Sequence, residues 1–232
     1  MNYIIWNGIN SETIDGLLIC ELPPITKPKI RTEVTEIDGK DGDFIDKVGY
    51  SSYDKTIKVG LFDDFDINQI IKYFSGKGEI TFSNEPDKVY MAEIIDQIDL
   101  KRLVNFMITD IKFHVQPFKY LKDEPNVDIE VTNQTSISVT NQGLETSKPV
   151  ITLYGSDLVE IGINGFSQFQ VTIDEEYITI DSNSEDAYKD SPSNLKNRSM
   201  TGVFPTLNPG ENIITWTGNL TRIVVEPKSR WI

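Results

Sequence analysis

Apolar and polar positions alternate through most of this chain, and one short stretch departs from that period. Residues 29–37 show the alternation plainly, with Ile30, Thr32, Val34 and Glu36 on one parity against Arg31, Glu33, Thr35 and Ile37 on the other. Such a pattern predicts a strand, because successive side chains point to opposite faces. Strands are likewise expected at 17–21, 55–62, 79–82 and 89–94, the last two joined across Asn84-Glu85-Pro86-Asp87, a run of turn formers. Pro23, Pro24 and Pro28 keep the connection after the first strand irregular. From Val104 the apolar positions run Val104, Phe106, Ile108, then restart on the other parity as Ile111, Phe113, Val115. A bulge near Thr109 and Asp110 would reconcile the two.

The exception is residues 67–75, where Ile67, Ile70, Ile71 and Phe74 recur at helical spacing. Asp66 stands where an N-cap belongs, Gln69 where its capping-box partner would sit, and Gly76 can take the left-handed closing position. So short a helix is marginal alone and is expected to lie on a sheet. Beyond residue 126 the chain reads as strands and turns throughout, at 127–132, 136–140, 150–154, 158–163, 166–173, 177–181, 213–217 and 220–226, with Asn164-Gly165 a strong hairpin signal. Short strands and frequent turns predict a β-sandwich. Residues 119–126, with the polar run Lys122-Asp123-Glu124-Pro125-Asn126, are the expected linker. The fold class is therefore mainly β, with a β-rich domain over 1–125 that carries the helix and a β-sandwich domain over 126–232.

A chain of 232 residues and 26.3 kDa is long enough for two modest cores. No apolar run approaches the ~20 residues of a membrane helix, and the start lacks a basic segment, so neither a membrane span nor secretory export is expected. A formal charge of −14 repels phosphate backbones and argues against duplex binding. The same acidity serves solubility, or a wall past which DNA slides. Cys20 is the only cysteine, which excludes an intrachain disulfide and a zinc cage of paired cysteines.

Catalytic grammar is missing. His114 is the sole histidine and, by parity, points opposite Phe113 and Val115, with no nucleophile beside it in sequence. Cys20 sits in the apolar run Leu17-Leu18-Ile19-Cys20, with no base to activate it, and is expected to be buried. Asp38-Gly39-Lys40-Asp41-Gly42-Asp43 invites a calcium reading, but Lys40 stands among the donors and Gly49 occupies the place of the closing glutamate. Acidic runs at Asp63-Asp64-Asp66, Glu175-Glu176 and Glu185-Asp186 fall at turns or a helix start, where acids are favoured without any chemistry. Trp6, Trp216 and Trp231 could form a sugar platform, although Trp216 alternates with Ile214 as a core residue would. No enzyme activity, metal or cofactor is expected.

Read in order, Ile37-Asp38-Gly39-Lys40-Asp41-Gly42 with Tyr50 shortly after, a helix closed by glycine, the strand-turn-strand 80–90 and the closing strand Ile111-Lys112-Phe113-His114-Val115-Gln116-Pro117-Phe118-Lys119-Tyr120 resemble the N-terminal domain of the distal tail proteins of long-tailed phages that infect Gram-positive bacteria. The second half, with Thr140-Asn141-Gln142-Gly143, Ser147-Lys148-Pro149-Val150-Ile151, Ile178-Thr179-Ile180-Asp181, Phe204-Pro205-Thr206-Leu207-Asn208-Pro209-Gly210-Glu211-Asn212 and Arg230-Trp231, is similar to the galectin-like or carbohydrate-module-like sandwich of that family. The resemblance implies a tail-tube-like first domain and a structural part of the virion tail, assembled in the host cytoplasm. It implies a hexameric ring joining the tail tube protein to the tail-associated tip protein, with DNA passing through the channel unread. Some relatives carry a long arm or extra modules inserted in the second domain for holding receptor-binding proteins; this chain has no room for such an insertion, so a receptor-binding protein is a partner the resemblance leaves open. Within such a ring, Asp38, Gly39, Lys40, Asp41, Gly42 and Asp43 are the expected subunit contact. A carbohydrate-binding protein contributing to host recognition is the alternative, which an exposed Trp or Tyr row would favour.

Overall fold

The computed structural model describes residues 1–62, 64–98 and 107–232, which divide into two units, Met1–Lys122 with Ile232 and Asp123–Trp231. Asp63 of the first acidic run, and Val104 and Phe106 of the expected long strand, lie outside the described residues.

In the first unit, β1 (Ile4–Trp6), β2 (Ile9–Asn10), β3 (Leu17–Glu21), β6 (Tyr53–Leu61), β7 (Lys77–Phe82), β8 (Lys88–Glu93) and β9 (Ile108–Leu121) form an antiparallel sheet in the order β2-β1-β7-β8-β9-β6-β3. One face is apolar because inward positions alternate strictly: Ile57 and Val59 on β6, Ile80 and Phe82 on β7, Ile111, Phe113 and Val115 on β9 are all fully buried. Helix α1 (Ile67–Tyr73) adds Ile70 and Tyr73 to this core. Phe113 is the hub of the aromatic packing, edge-to-face with Trp6 at 5.3 Å, Phe82 at 6.2 Å and Phe74 at 6.4 Å. Burial pushes the Tyr73 phenol well above its ordinary pKa, and its hydroxyl donates to the Ile9 carbonyl at 3.2 Å.

Helix α1 begins as expected, with Asp66 Oδ1 accepting from the Asn68 amide at 2.9 Å, but it stops two residues early. Phe74 is the C-cap, leaving helical geometry at ψ 49° while its amide still donates to Ile70, and Gly76 takes φ +86°. The bulge expected at Thr109 and Asp110 is absent: β6 and β9 pair without a shift from Tyr53↔Val115 to Gly60↔Ile108. Thr109 takes the inward place at 3% exposure and Ile108 faces out, so an unbroken register is kept by burying a threonine.

Two further strands, β4 (Ile30–Glu36) and β5 (Asp43–Tyr50), pair only with each other. The Asp- and Gly-rich run 38–43 makes a turn that leads straight into β5.

The second unit contains β10 (Val127–Glu130), β11 (Ser136–Asn141), β12 (Val150–Ile163), β13 (Phe166–Ile173), β14 (Tyr177–Asp181), β15 (Asp186–Tyr188), β16 (Met200–Gly202) and β17 (Gly210–Glu226). Expected as pairs of short strands, 150–163 and 210–226 each run as one. Their first pairing zone, Val150↔Glu226 to Tyr154↔Arg222, lies in the order β15-β14-β12-β17-β10; their second, Glu160↔Thr217 to Ile163↔Ile214, lies in the order β11-β17-β12-β13-β16. The two layers of the sandwich therefore share their central strands and bury one core, from Ile151 and Leu153 in one layer to Val159 and Ile161 in the other. At the change of layer stand Gly155, whose absent Cβ would lie 2.2 Å from the Asn219 carbonyl oxygen, and Gly218, at φ +99° and 2.4 Å from that of Leu158. Only glycine lets the backbones approach so closely.

Candidate assembly surface

Strands β4 and β5 form an arm with an unusual balance of forces. A two-stranded hairpin is marginal in water without a third strand or a helix to cover it, and among the described residues nothing covers this one: every residue of β4 and the first six of β5 are exposed. Val34 and Ile45 sit directly opposite each other at 55% and 65% exposure, while Phe44, opposite Thr35, is exposed on the other face. The arm thus presents apolar side chains on both sides.

Its charges add to the imbalance. Glu33 faces Asp46 and Glu36 faces Asp43 across the ladder, and like charges directly opposite disfavour pairing by ~0.2–1 kcal/mol each. Two of the arm's cations lie on its own rings, Lys40 Nζ 3.9 Å from the centre of Phe44 and Lys47 Nζ 4.0 Å from that of Tyr50, where it also donates to the phenol oxygen at 2.7 Å. Among the described residues none of these four carboxylates has an ion-pair partner.

The expected contact residues gather at the far end. Asp38, Gly39, Lys40, Asp41 and Gly42 make the turn, closed by the Lys40 amide donating to the Ile37 carbonyl at 3.1 Å, and Asp43 opens β5. Gly39 and Gly42 adopt φ near +82° and +83° with open space around them. Among the described residues no group of three or more His, Cys, Asp or Glu could hold a metal.

At its root the arm is held firmly. The incoming strap is fixed where Asn84 Nδ2 donates to the Pro23 carbonyl at 2.9 Å and Lys55 Nζ to that of Pro24 at 3.0 Å; the Ser51 amide donates to Lys29 at 2.8 Å. Lys55 is 2% exposed and lies among the rings of Tyr90, Phe82 and Tyr53. Glu85, 8% exposed, accepts from the Tyr90 hydroxyl and from Lys119. Desolvation pulls the Lys55 pKa down and pushes that of Tyr90 up, the Glu85 charge opposing the first shift and reinforcing the second. This knot was invisible in the sequence, since its members come from separate strands and a turn.

Other candidate chemistry is accounted for structurally. His114 donates through Nδ1 to Asp54 Oδ1 at 2.8 Å on the outer face of the sheet, and Lys112 bridges Asp54 and Asp96 at 3.6 and 2.7 Å. The His114 hydrogen bond, followed by the Lys112 charge, holds the Asp54 carboxyl below its usual range. A depressed carboxylate contributes stability that is present above the unfolded pKa and lost as pH falls through the folded one. Asp54→Asn is therefore expected to flatten the acid limb of a stability-versus-pH curve below about pH 4, by no more than about 1 kcal/mol because the group is exposed. Cys20, expected buried, is only half so, its Sγ packed against the gap left by Gly60.

The tryptophan platform does not exist, since Trp6 and Trp216 are buried in separate cores. A tyrosine pair does lie on the outer face of the sandwich, Tyr154 beside Tyr177 at 5.1 Å and 34°, but Arg222 lies over the ring of Tyr154 and Lys189 over that of Tyr177, each at 5.1 Å. Both rings are thus already engaged by a cation and by each other, which argues against an open sugar platform there. Titration of the full chain with glycans, followed by tyrosine fluorescence, should show no saturable change; tight binding would restore the carbohydrate alternative.

No protein-family model matches the chain, nor does any curated protein sequence. Among solved structures it is similar to the Dit (gp 19.1) protein of SPP1, a paradigm of the hub adsorption apparatus in phages infecting Gram-positive bacteria. The two share 18% identity over 97% of this chain and 98% of that one, with a TM-score of 0.66. Chains of the phage p2 baseplate in its activated conformation, with strontium and with calcium, match at 9% and 8% identity over 97% of this chain and 97% and 98% of theirs, both at a TM-score of 0.49, and carry no further weight. Over nearly its whole length, this chain has the fold of a hub protein from a phage of Gram-positive bacteria.

Proposed function

We propose that the chain is a distal tail protein, a structural hub of a long-tailed phage in which the arm of each copy seats on the next to close a ring. The observation that carries this reading is the arm itself: apolar on both faces, opposed in its charges, and fixed at its root. A hairpin of that kind gains stability by lying on another surface, and a head-to-tail contact repeated between identical copies closes into a ring when the rotation permits. Six copies around a channel for DNA, with a tail tube protein and a tip protein on either side, are what the family resemblance implies for such a hub, and an acidic chain that repels a passing duplex suits that channel. No catalytic step belongs to this role.

The test is the size of the particle in solution. Light scattering and negative-stain images of the full chain should show rings several times the 26.3 kDa of one copy. Replacing residues 32–47 by a two-residue Asn-Gly turn should leave folded monomers; rings that survive the replacement would remove the arm from the contact.

A further inference from the structure

Resting on that ring reading, we propose that the arm's tip docks in a cleft at the root of the arm on a second copy, with Arg31 as the acceptor of its carboxylates. The cleft measures about 510 Å³ and is lined by Arg31, Tyr50, Ser51, Ser52, Gln116 and Phe118, with Gly49 and Pro117 completing it. In a chain of charge −14, this lining contains a cation, three hydroxyls and an amide but no carboxylate. Arg31 is paired with Gly49 through the backbone ladder, but its guanidinium has no hydrogen-bond or ion-pair partner among the described residues. Its guanidinium lies over Gly49, where a Cβ would come within 3.1 Å of the nitrogen, so the glycine makes room for the side chain to lie along the cleft. Tyr50 and Phe118, edge-to-face at 5.6 Å, supply an apolar wall.

The tip complements each of these features. Asp38 and Asp41 offer carboxylates, which a guanidinium fork binds bidentately, and Ile37, 47% exposed beside Asp38, offers an apolar side chain to the wall. An arm cannot serve its own cleft, because seven residues of β4 at ~3.3 Å each hold its tip roughly 23 Å from its root. A second copy supplies the same tip at the same orientation on every subunit, which is what a closed head-to-tail ring requires.

Charge reversal tests the pairing in the full chain. Arg31→Glu should raise the protein concentration needed for assembly at least about tenfold, as like charges then meet at the contact, with the circular dichroism of the fold unchanged. Asp38→Arg with Asp41→Arg should do the same, and all three substitutions in one chain should restore assembly. If the wild-type chain forms arm-dependent rings but Arg31→Glu assembles equally well, or the triple variant gives no recovery, this acceptor is wrong and the ring reading stands. A wild-type chain that stays monomeric at high concentration overturns both.

Discussion

Glu85→Gln should destabilise the first unit by about 3 kcal/mol or more, although it removes a single charge and keeps the shape of the side chain. Among the described residues Glu85 is the only carboxylate bonded into the knot formed with Tyr90 and Lys119, and its field also acts on Lys55. Deleting one partner of a buried ionic group leaves the remaining charges uncompensated, typically at ~3–5 kcal/mol. The consequence extends to the arm, because Lys55 holds the Pro24 carbonyl at the start of the strap. Urea unfolding of the full chain at neutral pH measures the loss, and Lys55→Met placed in the Glu85→Gln background should recover part of it by removing one of the stranded charges. A loss below 1 kcal/mol would mean that water reaches the knot.

Gly155→Val should be comparably damaging in the second unit. The new Cβ would meet the Asn219 carbonyl oxygen at 2.2 Å and the Leu220 Cα at 3.2 Å, both backbone atoms that no rotamer change can move. Strands β12 and β17 would have to separate where they change layer, with an expected cost of about 3 kcal/mol or more from lost pairing and strain together. Gly165→Ala is the control: its φ of +83° is strained for alanine, but its surroundings are open, so the cost should stay near 1–2 kcal/mol. Gly155 itself lies outside the left-handed region, so a loss there no larger than at Gly165 would mean that the two backbones can part at little cost and that the close approach is not the reason for the glycine.

These sites mark where sequence reasoning stops. Period-2 stretches and the capped helix are legible because their signals are local: Asp66, Ile67, Ile70 and Gly76 declare α1 without help from the rest of the chain. Strand β5 escaped because Asp41-Gly42-Asp43 reads as loop, although Phe44, Ile45 and Val48 after it carry a strand signal. Gly155 and Gly218 resemble breaks between strands, and in the sequence alone a break and a close crossing look the same. Lys55, Glu85 and Lys119 give no local sign of meeting. The tip residues 38–43 were singled out by composition, while Arg31 and Gly49, which form the proposed acceptor, stand at opposite ends of the hairpin and come together only through its register.

The order of the strands also sets a schedule for synthesis. The seven strands described above for the first sheet have all been made by Leu121, so the body of that sheet can form while the ribosome is still reading the rest. The sandwich has no such freedom: β10, β11 and β12 all bond to β17, the last of its long strands to be translated. Until that strand emerges, the edges of its three partners stay open to other nascent chains, and a pause late in translation prolongs the exposure.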